Sequence, residues 1–300
     1  MPLEGRVAIV TGAGSGLGRA HARYLGAKGA KVVVNDLSAD AAAKVAAEIA
    51  EVGGTALPFA ASVTDEAGVA DMVAAAMHQW GRIDILVNNA GILRDKSFAK
   101  MSLEDFRMVL DVHLMGSVVC TKAVWEIMRE QHYGRVVMTT SSSGLYGNFG
   151  QANYAAAKMA LVGLMQTLAI EGEKYDIRVN CLAPTAATQM TQDVLPQSAL
   201  THLAPELVSP ALLALVSEGA PTRAIVCAGA GHFARSNVTL TQGVFVGSGD
   251  AAGEQVIHSW DALSDRTGEI VPAYGFTQFE RETASAASSD GGQEVKLQRA

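Results

Sequence analysis

Thr11-Gly12-Ala13-Gly14-Ser15-Gly16-Leu17-Gly18 follows directly on the apolar run Val7–Val10 and opens a stretch of helical spacing, Leu17–Lys28. Glycines in such a turn let the backbone come close to a bound group. The N-terminus of the helix that follows offers free N–H groups and the positive end of its dipole. A strand, a glycine-rich turn and a helix in that order are the context that a dinucleotide pyrophosphate needs. No Gly-Lys-Ser/Thr ending is present, which argues against a P-loop.

The pattern continues outward from this turn. Lys31–Asn35, Ile83–Val87 and Arg135–Thr139 are short β-branched runs, with a weaker one at Thr55–Ala60. Asp40–Val52 and Glu66–Trp80 lie between them with helical spacing. Continuously apolar strands that alternate with helices predict an α/β fold, a doubly wound parallel sheet of Rossmann type with helices on both faces. Two long helices are expected next, Leu103 to about Gln131 (with room for a break) and about Asn153 to Glu173. A strand at Ile177–Leu182, closed by Pro184, a helix at Pro205–Glu218 and a strand at Arg223–Ala228 follow. Val238–Val246 reads as a hairpin or edge pair, and Glu254–Leu263 as a helix. One domain is expected over 1–282, with a C-terminal extension from about residue 231. From Thr283 the composition turns to Ser, Ala, Gly and charge, which predicts a flexible tail over 283–300.

Composition excludes some functions. The chain of 300 residues is 49% hydrophobic and 18% charged, with a net charge of −7. An acidic chain with few basic clusters is a poor nucleic-acid binder. Cys120, Cys181 and Cys227 are far apart, so neither a metal site nor a disulfide framework is expected. No segment reads as a signal peptide or as a membrane helix of about 20 apolar residues, and the chain ends Leu297-Gln298-Arg299-Ala300 rather than in a Ser-Lys-Leu address. The cytoplasm is therefore the expected location, with no membrane partner.

Asp36 ends the second strand about 20 residues beyond the glycines, where a carboxylate can accept the ribose hydroxyls of NAD. The 2′-phosphate of NADP would face the same carboxylate. Two such charges near ~4 Å repel by about 4 kcal/mol at an effective dielectric of about 20. No Arg or Lys adjoins Asp36, and Ser15 stands where a base would help, so NAD is expected over NADP.

Tyr154-Ala155-Ala156-Ala157-Lys158 places a phenol and an ammonium on one face of a helix. The ammonium is expected to pull the tyrosine pKa of about 10 down by roughly two to three pH units, toward the range useful for proton transfer. Ser141-Ser142-Ser143 follows a strand at the carboxyl end of the sheet, where a hydroxyl can orient a substrate oxygen.

Together Thr11–Gly18, Asn88-Asn89-Ala90-Gly91, Ser141 and Tyr154-xxx-Lys158 resemble the classical short-chain dehydrogenase/reductase superfamily over roughly residues 5 to 230. The resemblance implies that Tyr154 moves the proton, Ser141 polarises the carbonyl, and Lys158 lowers the tyrosine pKa and holds the nicotinamide ribose. It implies cofactor contacts from Gly12, Ser15, Gly16, Leu17 and Gly18, from Asn89, Ala90 and Gly91, and from Ser62 and Val63 near adenine. Pro184, Ala186 and Thr188 would hold the nicotinamide amide. Ser62 stands where the family often has Asp, and Thr185 replaces a usual Gly.

Gly91-Ile92-Leu93-Arg94-Asp95, Val112-His113-Leu114, Tyr146–Tyr154 and Ala169-Ile170-Glu171-Gly172 are similar, more narrowly, to the (3R)-hydroxyacyl-CoA dehydrogenase part of peroxisomal multifunctional enzymes of type two, also called 17β-hydroxysteroid dehydrogenases of type four. The implied reaction interconverts (3R)-3-hydroxyacyl-CoA and 3-oxoacyl-CoA. A hydroxysteroid or other secondary alcohol is the alternative substrate, and an NAD-binding regulator without chemistry is the alternative class. His113 replaces the superfamily's catalytic Asn, and is expected to hold the relay water or carry the proton itself. Thr191 to about Pro205, with Met190, Val194, Leu195 and Leu203, is expected to cover an apolar substrate. The family pairs its two middle helices across subunits, which implies a homodimer or homotetramer.

Overall fold

The computed structural model describes residues 1–188 and 197–290. The chain divides into two compact units, Met1–Ser236 and the part from Asn237 onward.

The first unit is built on one sheet. Its strands are β1 (Val7–Val10), β2 (Lys31–Asp36), β3 (Thr55–Ala60), β4 (Ile85–Asn88), β5 (Gly134–Thr139), β6 (Ile177–Thr185), β7 (Ile225–Gly229) and β8 (His232–Ser236). They lie in the order β3-β2-β1-β4-β5-β6-β7-β8, parallel except for β8. Helices α1 (Gly16–Ala27), α2 (Ala39–Glu51), α3 (Glu66–Trp80), α4 (Leu103–Leu110), α5 (Gly116–Gln131), α6 (Ser142–Tyr146), α7 (Ala152–Gly172), α8 (Gln197–Leu200) and α9 (Ser209–Val216) connect them. The strands read as continuous apolar runs because both faces are covered. Ala8, Val10, Val32 and Val34 join a core with Ala22, Leu25, Ile49, Leu212 and Leu215 on one face. Ile9, Val33, Leu86 and Met138 join Met72, Val124, Met128, Leu161 and Met165 on the other. Each such side chain contributes roughly 1.5–3 kcal/mol by leaving water.

The order turns back between β1 and β4, whose carboxyl ends open a crevice between their loops, the place where such sheets bind ligands. A buried carboxylate fixes the two strands at their other end. Asp84 accepts Val7 N at 2.9 Å and Arg6 Nη1 at 2.9 Å, and Arg82 reaches it at 2.6 and 2.8 Å.

Several elements differ from expectation. The expected break in the long middle helix is one wider, π-type turn at Asp111–Met115, between α4 and α5. The helical stretch Leu103–Gln131 is long and apolar enough, by length and composition, to cross a membrane, which the sequence reading had not allowed. Here its buried residues, among them Val109, Cys120, Val124 and Met128, serve the core of the fold. β6 runs through Pro184 to Thr185 instead of closing before it. Thr140 N donates to Leu182 O and Cys181 N to Ala224 O, so alternation aims Pro184's missing N–H toward β5, which has already ended at Thr139. The helix expected at Pro205–Glu218 is a short 3₁₀ turn at Pro205–Leu207 followed by α9.

Val238–Val246 forms no strand. The edge pairing goes to β8, which folds back on β7 through Ala230 (φ 51) and Gly231 (φ 74), the backbone that a tight hairpin turn requires. In the second unit Leu240 and Ile270 form an isolated bridge. The helix expected at Glu254–Leu263 is two, α10 (Ala252–His258) and α11 (Trp260–Ser264). The last helix, α12 (Phe276–Asp290), continues past Thr283, where a tail was expected.

Candidate active site

The loop Thr11–Gly18 lies at the carboxyl end of β1 and is tied down from three sides. Asn89 Nδ2 donates to Thr11 O at 2.9 Å and to Gly12 O at 3.2 Å, and Asn89 N and Ala90 N donate to Thr11 Oγ1. The Asn89 side chain thus holds the loop's shape as well as lining the cavity. Gly14 N donates to Asp36 Oδ2 at 2.9 Å, and a Cβ on Gly14 would lie 2.7 Å from that oxygen. Asp36 Oδ1 accepts Ser38 N. Gly16 (φ +51) opens α1, and Thr188 stands over it at 3.4 Å from where a Cβ would be.

A cavity of about 670 Å³ runs from this cradle along the sheet's carboxyl edge. It is lined by Gly12, Ser15, Gly16, Leu17, Gly18, Asp36, Ser62, Val63, Asn89, Ala90 and Gly91, and by His113, Ser141, Tyr154, Lys158, Pro184, Ala186 and Thr188. Every residue singled out in the sequence for cofactor or chemistry therefore faces one space. A glycine cradle at a helix N-terminus, with a carboxylate at the end of β2, suits a dinucleotide's pyrophosphate and ribose. The cavity wall also includes Asn35, Leu37, Ile92, Leu93, Val112, Thr139, Asn148 and Gln151, which sequence reasoning passed over. Position at the carboxyl end of a strand could have found Thr139, and Gln151 lies one helical turn ahead of Tyr154. The expected cover, Thr191 to about Pro205 with Met190, lies outside the described residues as far as 196; of its apolar set only Leu203 is described, and its carbonyl accepts Ala187 N at 2.6 Å.

At the far end of the cavity Ser141 caps α6, accepting Ser143 N at 3.2 Å, and its hydroxyl lies close enough to the Tyr154 phenol to favour the phenolate. The Lys158 ammonium is buried, donates to Thr139 O at 2.5 Å, and lies 5.5 Å from the Tyr154 ring centre. The electrostatics run against the expected depression of Tyr154. Burial pushes the phenol above its ordinary value, the Ser141 contact pulls it back, and the Asp95 carboxylate pushes it up again. Burial also brings Lys158 down to about 7, so the ammonium is a weaker source of charge than an exposed lysine.

His113 sits in the π-type turn and is 2% exposed. Its Nε2 lies 2.8 Å from Ile92 O and 3.1 Å from Ile92 N, and its ring meets Tyr154 edge-on at 5.2 Å. Burial, and then the Lys158 charge, hold its pKa down at about 3. A ring that stays neutral at working pH does not carry a proton as imidazolium. Its Nδ1 has no protein partner among the described residues.

A parallel sheet with a dinucleotide cradle at its switch point, facing a Ser–Tyr–Lys set in the same cavity, defines a nicotinamide-nucleotide oxidoreductase acting on CH–OH groups. The chain belongs to the short chain dehydrogenase family, whose model matches residues 6–199. It is 50% identical over 224 residues, 72% of this chain, to peroxisomal multifunctional enzyme type 2 of Drosophila melanogaster, and spans only 37% of that protein's length. The solved full-length fly structure superposes with a TM-score of 0.80 at 36% identity, over 95% of this chain and 50% of the fly chain. A putative short-chain type dehydrogenase/reductase of Mycobacterium tuberculosis is 50% identical over 72% of this chain and 79% of its own. The structure of a 7α-hydroxysteroid dehydrogenase complexed with NADH and 7-oxo glycochenodeoxycholic acid superposes with a TM-score of 0.71 at 31% identity, over 76% of this chain and 94% of that one.

Proposed function

We propose that this enzyme interconverts (3R)-3-hydroxyacyl-CoA and 3-oxoacyl-CoA with NAD. The observation that carries the reading is that Ser141 and Tyr154 line the same cavity as the glycine cradle, with Ile92, Leu93 and Val112 as apolar wall. Oxidation takes a hydride from the carbinol carbon and a proton from its oxygen. The nicotinamide, when bound, accepts the hydride. Tyr154 receives the proton, and Ser141 holds the substrate oxygen against it. Lys158, which donates to Thr139 O and lines the cavity, would hold the nicotinamide ribose. Asp36 supports NAD over NADP, because its carboxylate stands at the ribose end of the cradle. His113 Nδ1, a buried acceptor beside Tyr154, supports a role in holding a relay water rather than in shuttling a proton itself.

The similarity to multifunctional enzyme type 2 supports the acyl-CoA substrate, and the similarity to a bile-acid dehydrogenase supports a steroid as the second reading. NADH formation with (3R)- and (3S)-hydroxyacyl-CoAs and with hydroxysteroids decides between them. Tyr154→Phe should lower turnover by about 10²–10⁴-fold while NAD still binds. Turnover of steroids alone would move the substrate, and NAD binding without turnover of either would leave a regulator.

A homodimer or homotetramer through α5 and α7 accords with the exposed Met159 and Ile170 on α7, and sedimentation as a monomer would exclude it. The sequence reading places the enzyme in the cytoplasm, whereas the fly relative carries a peroxisomal name; localisation of a tagged chain in its own cell decides.

A further inference from the structure

Beside Tyr154 the cavity wall carries an amide held in one orientation. Gln151 is 8% exposed, lines the cavity and precedes the first residue of α7, its side chain making no bond to the helix N-terminus. Its Nε2 donates to Asp95 Oδ2 at 2.6 Å, and its Oε1 accepts Asn148 Nδ2 at 3.1 Å. A carboxylate only accepts and an amide nitrogen only donates, so these two neighbours leave the amide no freedom to flip. One N–H and one lone pair of Gln151 have no partner among the described residues. Gln151 and Tyr154 are three apart at the start of one helix, which brings their side chains to within about 5–6 Å at Cβ.

We propose that the second N–H of Gln151 binds a carbonyl oxygen two carbons from the reacting carbon, and so selects β-hydroxy and β-oxo acyl compounds over simple secondary alcohols. The inference rests on the acyl-CoA reading above and names the group that this reading requires the site to recognise. With Ser141 and Tyr154 on the reacting oxygen, a third donor about one side chain away matches the 1,3-spacing of a 3-oxoacyl thioester. A simple alcohol has nothing to place there. Asp95 acts as a positioning residue through Gln151. Its carboxylate fixes the amide and also raises the Tyr154 pKa.

The test is NADH-dependent reduction of acetoacetyl-CoA against its thioether analogue S-(3-oxobutyl)-CoA, which lacks only the thioester oxygen. The wild type should prefer the thioester by roughly tenfold or more in kcat/KM, the scale of one hydrogen bond. In Gln151→Leu that ratio should collapse toward one. Asp95→Asn should weaken the preference and shift the pH profile of alcohol oxidation to lower pH, a response that loss of packing alone does not produce. Equal losses on both compounds in Gln151→Leu, or an unchanged ratio, would overturn the inference while leaving the acyl-CoA reading intact. Failure of the wild type on both CoA compounds, with NADH still bound, would overturn the two together.

Discussion

Replacing Gly91 by alanine adds one methyl group where the structure has no room for it. Gly91 has no positive φ, so the backbone tolerates the change, but the new Cβ would lie 2.2 Å from His113 Cε1 and 2.8 Å from Nδ1. Relief to ordinary contact near 3.4 Å moves the ring by about 1.2 Å, which a close-packed interior resists. The same shift stretches the 2.8 Å contact of Nε2 with Ile92 O to about 4 Å, and it disturbs the edge of Tyr154 against the ring. Overpacking costs about 1–3 kcal/mol and the lost buried contact about 1 more. At roughly 2–4 °C per kcal/mol for a chain of this size, Tm should fall by about 5–15 °C in scanning calorimetry. A displacement near 1 Å beside the proton donor can cost about 10²-fold in kcat. His113→Ala made in the Gly91→Ala background removes the obstructing ring. The double-mutant cycle should then show a coupling of about 1–3 kcal/mol in stability. Additive effects, or a Gly91→Ala enzyme with wild-type Tm and kcat, would refute the claim that this glycine exists to admit the histidine.

Three further outcomes follow from the buried charges and the cradle. Lys158, brought down to about 7, is neutral in the folded state and protonated in the unfolded chain between about pH 7 and 10. Stability should therefore rise with pH across that window by on the order of 1 kcal/mol per unit, and denaturant titrations of Lys158→Met should lose that rise. His113, held at about 3, stays neutral where the unfolded chain's histidine takes up a proton. Stability should therefore fall as pH drops from about 6.5 toward 3, and His113→Asn should flatten this part of the acid-unfolding curve. Asp36→Ala should narrow the ratio of KM for NADP to KM for NAD, chiefly by improving NADP, as steady-state kinetics with both cofactors would show; an unchanged ratio would detach Asp36 from cofactor choice.

Local chemistry made the fold and the cradle readable. Thr11–Gly18, Asp36 and Tyr154-xxx-Lys158 are each local in sequence, and their strand–turn–helix setting, with the family resemblance, made their roles readable. What escaped depends on partners far along the chain. Gln151 gains its meaning from Asp95, and the anchoring of Lys158 comes from the carbonyl of Thr139, neither of which is a neighbour in sequence. Pro184 looked like a strand terminator because the early end of β5 cannot be seen from residue 184. The β8 edge was missed because His232–Ser236 has no β-branched residue, and the Ala230-Gly231 turn that makes the hairpin is a weak signal without its φ values. The direction of the Tyr154 shift was misjudged because a pair on a helix face says nothing of how much burial the phenol and the ammonium share.

That burial explains why the site concentrates features that a stable core avoids. Four buried side-chain polar atoms lack a protein partner among the described residues: His21 Nε2, Asn88 Oδ1, His113 Nδ1 and Thr139 Oγ1. His113 and Thr139 line the cavity, and Asn88 directly precedes Asn89, which does. Beside them is an ammonium in the interior, held by one carbonyl. Each such group lowers stability by about 1–3 kcal/mol if nothing ever binds it. A sheet whose two faces are otherwise filled with Val, Ile, Leu and Met can bear that cost, and two of the four atoms, on His113 and Thr139, line the same cavity as the buried Lys158 ammonium. The His113, Thr139 and Lys158 groups are the ones that a polar ligand in the cavity would satisfy. The arrangement therefore predicts that NAD binds the Lys158→Met enzyme less tightly than the wild type and raises its Tm less at the same NAD concentration, since only the intact site lets the ligand answer the buried ammonium. An unchanged Kd and an equal rise in Tm would show that the buried charge is answered by Thr139 alone.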